Sequence, residues 1–340
     1  MSGSPSRKAQ RLLICVGIAV VMLAQPTFAY LKFGVQVGTQ TVIVKWSQVP
    51  VRYFISDGSV VPGVGGSDLQ AAVARAFATW QAVPSASISY QFAGTTTARP
   101  LDDDGLSTIG FRSRPDLDRV LASTHFLLDS STGAIVEADI FFNSAFQWSV
   151  AANGEANKFD LESVALHEIG HLSGLGHSAL GETVLRPDGG RTVTASDAIM
   201  FPIALGAGSV AARTLRADDI AGISDIYPDG GFTAETGSIS GRVTKNGVGL
   251  FGAHIVAFNL ATGALVASFS LTNQGEFSIG GLTPGPHIIR VEPLDDADID
   301  GFFDATTPVD LNFRVRFYDR LVVAPRGHDS GTIEVKVAPK

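Results

Sequence analysis

The eleven residues His167-Glu168-Ile169-Gly170-His171-Leu172-Ser173-Gly174-Leu175-Gly176-His177 constrain this chain more than any other stretch. His167 and His171 are four apart, which on an α-helix puts both imidazoles on one face, one turn from each other. Two nitrogens so placed can share one metal ion. Glu168 falls beside them, where it can hold a water without ligating. Gly174 permits a backbone conformation that other residues resist, so the helix can end and the chain turn back. His177 then becomes available as a third ligand. Three neutral imidazoles plus a water make an open tetrahedral zinc site, the catalytic rather than the closed structural type. The competing reading, three unrelated core or surface histidines, fits this spacing poorly.

At 340 residues the chain is long enough for two ordinary domains. An apolar fraction of 45% with 17% charged residues describes a folded globular protein. The formal net charge of −8 argues against nucleic acid or an anionic membrane surface as the main partner. Residues 1–29 read as a secretory signal peptide. Arg7, Lys8 and Arg11 give the positive start, and Leu12 to Ala24 are apolar but short for a membrane span. Thr27-Phe28-Ala29 then offers small residues for cleavage after Ala29. An uncleaved anchor is the alternative. The expectation is an exported protein, secreted, extracellular or held in the periplasm or cell envelope, with no membrane span in the mature chain. Cys15, the single cysteine, lies in the leader, so no disulfide is expected to hold the mature fold.

The fold class read from the rest is α+β followed by all-β. Thr41–Trp46 and Val51–Ile55 carry the β-branched and aromatic residues of strands. Leu69, Val73, Phe77 and Trp80 form one apolar helical stripe after a Ser67/Gln70 capping box. Further strands are predicted at 87–92, 107–112, 119–127 and 135–143. Asp160 is placed to cap the metal-binding helix, predicted from about Leu161 to Leu172 or Ser173. A glycine-rich polar stretch runs from His177 to Asp197. Residues 215–227 read as a closing helix with Ile220, Ile223 and Tyr227 buried. Residues 229–237 read as a linker. From 238 to 340 no helical pattern survives, and short strands alternate with glycine and proline turns, as in a small β-sandwich.

The stretch His167–His177 together with Met200 resembles the metzincin clan of zinc endopeptidases, and within it the matrixins. Ser178 after the third histidine, Ala198-Ile199-Met200-Phe201-Pro202 as a Met-turn, Arg216–Ile223 as the start of the last helix, and Leu121-Ala122 on a substrate-pairing edge strand carry the likeness. The resemblance covers roughly residues 40–228. It implies a metzincin-type catalytic domain over 30–228, a twisted mixed sheet with three main helices. It implies zinc on His167, His171 and His177, Glu168 as the catalytic base, Met200 as a structural floor, and a protein or peptide substrate. Ser123 stands where matrix metalloproteinases carry a structural-zinc histidine, and His125 is out of step, so one zinc is expected rather than two.

The last domain is similar to the carboxypeptidase-regulatory β-sandwich in Gly237–Val243, Gly275–Ile279 and Leu282–Gly285. That likeness implies an accessory or spacing role, with a surface or protein partner open to it. Within it, Asp296-Ala297-Asp298-Ile299-Asp300-Gly301 alternates carboxylates as a calcium loop does, with Asp296, Asp298 and Asp300 as candidate ligands. A solvated acidic loop is the other reading. The overall expectation is an exported zinc endopeptidase. The alternative is a binding or adhesion protein that works through its β-domain and keeps a vestigial peptidase domain.

Overall fold

The computed structural model describes residues 11–13, 32–37, 40–187, 189–303 and 306–340. The predicted leader therefore lies outside the described residues, apart from Arg11–Leu13, which pair with Leu127–Asp129. Among the described residues no helix is long and apolar enough to cross a membrane.

The first half is built on a twisted mixed sheet. Ala122–Asp129 lies toward one edge, followed inward by Ala134–Asn143, Thr108–Arg112, Val51–Ser56 and Tyr90–Thr96. The pairing of Ala122–Asp129 with its inner neighbour is antiparallel, and the other pairings are parallel. Helix α1 (Gly66–Gln81) buries the predicted stripe of Leu69, Val73, Phe77 and Trp80, with Ala72 and Ala76 between. Its cap differs from the expectation. Gly65 is the cap, and the Asp68 carboxylate accepts its N–H at 2.9 Å. The Gly65–Asp68 pairing lies two residues earlier than a Ser67–Gln70 box, so the helix begins sooner.

Helix α2 (Leu161–Leu172) carries the first two histidines and starts as predicted, with Asp160 accepting the Ser163 N–H at 2.9 Å. Arg213 pairs with the buried Asp160 carboxylate and ties that cap to the loop 203–215. Two indoles pin the helix by donating to its carbonyls, Trp80 to Leu166 and Trp46 to Leu172, each at 2.8 Å. Helix α3 (Ala217–Ile226) closes this half, and Ile223, Ile226 and Tyr227 are buried. Ile220, predicted to be buried, is 36% exposed. Ala221 takes an inward place instead, against the C-terminal half.

Two further expectations are corrected. The stretch after His177 is not merely polar and glycine-rich, because Gly181–Leu185 and Arg191–Ser196 form an antiparallel hairpin. Its Thr and Val residues suit strands. Residues 229–237 are not an open linker. Phe232–Glu235 form a helical turn, Phe232 is buried, and Asp229 accepts the N–H groups of Gly231 and Phe232.

The C-terminal half holds two sheets. Gly237–Lys245 pairs with Glu276–Leu282 and, in parallel, with Asp329–Val337. His254–Asn259 pairs with Leu265–Phe269 and with Gly285–Glu292. Ile239, Val243, Phe277 and Ile279 from the first share one apolar core with Ile255, Ala257, Ile289 and Val291 from the second. This half is fused to the first by more apolar packing. Ala179 and Phe201 pack with Phe269, Leu294, Phe302 and Phe303, while Leu180 and Ala198 pack with Val256 and Ala267. Burying one such large side chain contributes about 1.5–3 kcal/mol, so the two halves are expected to move as one rather than swing on a tether.

Asp218, on the first turn of α3, sits in that junction. It accepts the Ala267 N–H at 2.8 Å, and the Ser178 hydroxyl lies 2.7 Å from its other oxygen. Burial pushes its carboxyl up to about 7, against these hydrogen bonds. The unfolded chain releases that proton near pH ~3.9. Between the two values the folded state binds more protons, so Asp218 makes stability fall as pH rises across that window. Asp218→Asn keeps both contacts without the titration. The thermal midpoint of this variant is expected to fall less between pH 5 and pH 8 than that of the parent chain. Equal falls would show that Asp218 is ionised throughout.

Candidate metal centre

Three histidine side chains converge where α2 ends. His171 Nε2 and His177 Nε2 are 3.2 Å apart, and one nitrogen from each of His167, His171 and His177 lies within 4.8 Å of the others. Gly174, with φ +98°, makes the reversal after the helix, and a Cβ there would overlap the Val44 carbonyl. The turn thus needs glycine for its conformation and for the close approach.

The outer nitrogens decide what the inner ones can do. His167 Nδ1 lies 2.7 Å from the Ile199 carbonyl, His171 Nδ1 2.8 Å from that of Leu175, and His177 Nδ1 2.6 Å from that of Gly301. A carbonyl only accepts, so each Nδ1 must carry the proton and each Nε2 keeps a lone pair. Burial lowers all three imidazoles below their ordinary range, His171 well below it and His177 to about 3, so neutral rings are favoured. Three neutral, outward-tethered imidazoles facing a common point are the donor set that a zinc ion takes in an open site.

The turn at residues 198–202 backs these histidines. The Asp219 carboxylate, on α3, accepts the N–H groups of Ile199 and Met200 at 2.9 and 3.1 Å. It thereby fixes the carbonyl that holds His167. Met200 is 2% exposed and lies under Gly170. A Cβ on Gly170 would overlap Met200 Sδ and come within 2.9 Å of the Trp80 ring. The glycine inside the motif is therefore a close-approach residue, a role that its sequence context alone does not disclose.

Glu168 is 5% exposed and lines the cleft beside the histidines. Its Oε2 accepts the hydroxyl of Thr124 at 2.7 Å, and the same hydroxyl reaches the Glu168 carbonyl at 3.0 Å. Burial pushes the carboxyl up to about 7, and the Thr124 hydrogen bond opposes that shift. No local pattern in the sequence marks Thr124, because its partner is 44 residues away. His125, next to it, stands apart from the triad and contacts the Phe141 ring at 5.8 Å.

The three candidate calcium ligands form no such group among the described residues. Asp296 Oδ1 accepts the Thr183 N–H at 2.9 Å, and Asp298 pairs with Arg191 at 3.3 Å. Asp298 and Asp300 line the same cleft as Glu168. That cleft, about 1310 Å³, runs past Leu121–Phe126, the metal centre and Ile203–Gly206 to the hairpin. It exceeds the ~300–1,000 Å³ usual for small-molecule sites.

The matrixin family model matches residues 45–228, more than half of the chain. The chain belongs to the matrixin family. It is 29% identical over 199 residues to metalloendoproteinase 1-MMP of Arabidopsis thaliana, across 54% of this chain and 44% of that protein. It is 32% identical over 179 residues to metalloendoproteinase 1 of Glycine max, across 46% and 45%. Against matrix metalloproteinase-C of Caenorhabditis elegans the identity is 26% over 205 residues, across 57% and 30%. The chain thus spans less than half the length of each of these relatives. The matched region of this matrixin holds all three histidines, Glu168 and Met200, and ends before the C-terminal sheets.

Helix propensity alone would make Gly170→Ala stabilising by about 0.5–1 kcal/mol. Overpacking against Met200 and Trp80 costs about 1–3 kcal/mol. A lower thermal midpoint is therefore expected, read by calorimetry. A raised midpoint would show that the floor yields to a methyl group.

Proposed function

We propose that this matrixin is an exported zinc endopeptidase that hydrolyses peptide bonds in proteins or peptides. The observation that carries the reading is the set of three Nδ1-tethered imidazoles beside a buried carboxylate in a long cleft. His167, His171 and His177 would hold the ion, and a zinc so held supplies a Lewis acid that lowers the pKa of a water to about 7.

The protein's own groups do the rest. Glu168 takes a proton from the attacking water and returns it to the leaving amine nitrogen, the general-base and general-acid work of one carboxylate. A carboxyl raised by burial toward neutrality suits both directions of that transfer. Thr124 fixes the carboxylate on the cleft floor by its hydrogen bond. The substrate lies extended along Ala122–Phe126. The outer side of that segment pairs with no other strand among the described residues, so its main-chain groups are available for β-addition. The loop 203–215 shapes the pocket just past the cleaved bond, and Ile203 to Gly206 line the cleft there.

Glu168→Ala separates this reading from a binding protein with an idle site. In a purified full-length protein, the variant is expected to retain about one zinc per chain and to lose about 10²–10⁴-fold in cleavage of an unbiased peptide library. The parent chain's cleavage is expected to stop with a chelator. Undiminished cleavage by Glu168→Ala would contradict the role given to that carboxylate.

A further inference from the structure

The third histidine is held by a part of the chain that the matrixin match does not include. His167 and His171 are tethered to Ile199 and Leu175, inside residues 45–228. His177 is tethered to Gly301, 124 residues away, in the loop after the strand Gly285–Glu292. We infer that the C-terminal segment 295–303 is a working part of the metal centre and of the cleft wall, positioning His177 through the Gly301 carbonyl. This deepens the zinc-peptidase reading and rests on it.

Three sets of contacts hold that carbonyl in place. A short 3₁₀ turn, Ile299–Gly301, presents it, closed by the Gly301 N–H to Asp298 at 3.0 Å and the Phe302 N–H to Ile299 at 2.9 Å. On one side the turn is laced to the hairpin. Asp296 accepts the Thr183 N–H through its carboxylate and the Thr183 hydroxyl through its carbonyl, while Arg191 donates to the Asp295 carbonyl at 3.0 Å. On the other side Phe302 is 2% exposed, lies edge-on to His177 with ring centres 6.1 Å apart, and packs with Phe269, Ala179 and Phe201. Ala179 and Phe201 flank the third histidine and Met200 in sequence. The loop is therefore fixed to the same short segments that it orients.

The consequence is chemical as well as mechanical. A carbonyl on Nδ1 selects the tautomer that leaves Nε2 free for the ion, and it sets the ring plane. Without it, His177 could rotate or take the other tautomer, and the donor set would fall to two fixed rings. Asp298, Asp300, Gly301 and Phe302 also line the cleft. The carboxylates read in the sequence as calcium ligands thus lie in docking and in the cleft wall. The C-terminal half acts as part of the enzyme and not as a spacer. Phe302 and Asp296 are positioning residues, because they touch His177 or the hairpin rather than the reacting atoms.

The test uses the full-length chain, stripped of metal and titrated with zinc alone against a competing chelator. Outer partners of metal ligands typically contribute 10–100-fold in affinity. Phe302→Ala and Asp296→Ala are each expected to weaken zinc binding within that range. In ¹⁵N-histidine NMR of the metal-free protein, they are also expected to speed exchange of the His177 Nδ1 proton. Asp296→Asn, which keeps an oxygen for Thr183, is expected to restore most of the affinity. Phe317→Ala, at a residue 55% exposed and outside the cleft lining, is expected to leave both readouts unchanged. Cooperative unfolding of Asp296→Ala keeps the test valid should Phe302→Ala not fold. Zinc affinity within twofold of the parent in both alanine variants, with the His177 proton still protected, overturns the inference and leaves the peptidase reading standing. A protected His177 proton that both variants lose, in a parent chain that binds no zinc, supports the loop's hold on His177 and overturns the peptidase reading instead.

Discussion

Each of the three imidazoles donates its Nδ1 proton to a main-chain carbonyl, and the rest of the structure is arranged to supply those carbonyls. Leu175 offers its own just after the Gly174 reversal. Ile199 is held by Asp219 from α3. Gly301 comes from the C-terminal half. A hydrogen bond from a neutral ring contributes only about 1 kcal/mol to stability. Its larger effect is to choose one tautomer and one ring plane, which three separate rings must share before one ion can bridge them.

Burial follows from the same requirement. Rings and carboxylate are drawn into a site where the charged forms are disfavoured, so the imidazoles are kept neutral and Glu168 is pushed toward 7. Thr124, Trp46, Trp80 and the Asp160–Arg213 pair then fix the helix that carries them.

Local chemistry was readable from the sequence and distant pairing was not. The helix of the motif, its Asp160 cap, the Gly174 reversal and the apolar stripe of α1 depend on residues within about one or two turns of each other, and they occur as read. Gly170, Thr124 and the hairpin 181–196 depend on partners remote in the chain or on the strand content of a glycine-rich stretch. Asp296 and Asp298 illustrate the limit most plainly. Their spacing fits a cation loop, yet here they bond to Thr183 and Arg191, more than a hundred residues away. The placement of Phe201 and Ala198 against Phe269 and Ala267 likewise joins two stretches whose patterns separately read as two domains.

The central claim is that three histidines present three Nε2 atoms to a single zinc and leave a fourth position open. X-ray absorption at the zinc edge, on the full-length chain loaded with one equivalent of zinc, tests it most directly. The account predicts three imidazole nitrogens at about 2.0–2.1 Å and one further light-atom ligand from water. A shell with only one or two imidazoles, or one closed by a fourth protein ligand, would contradict it.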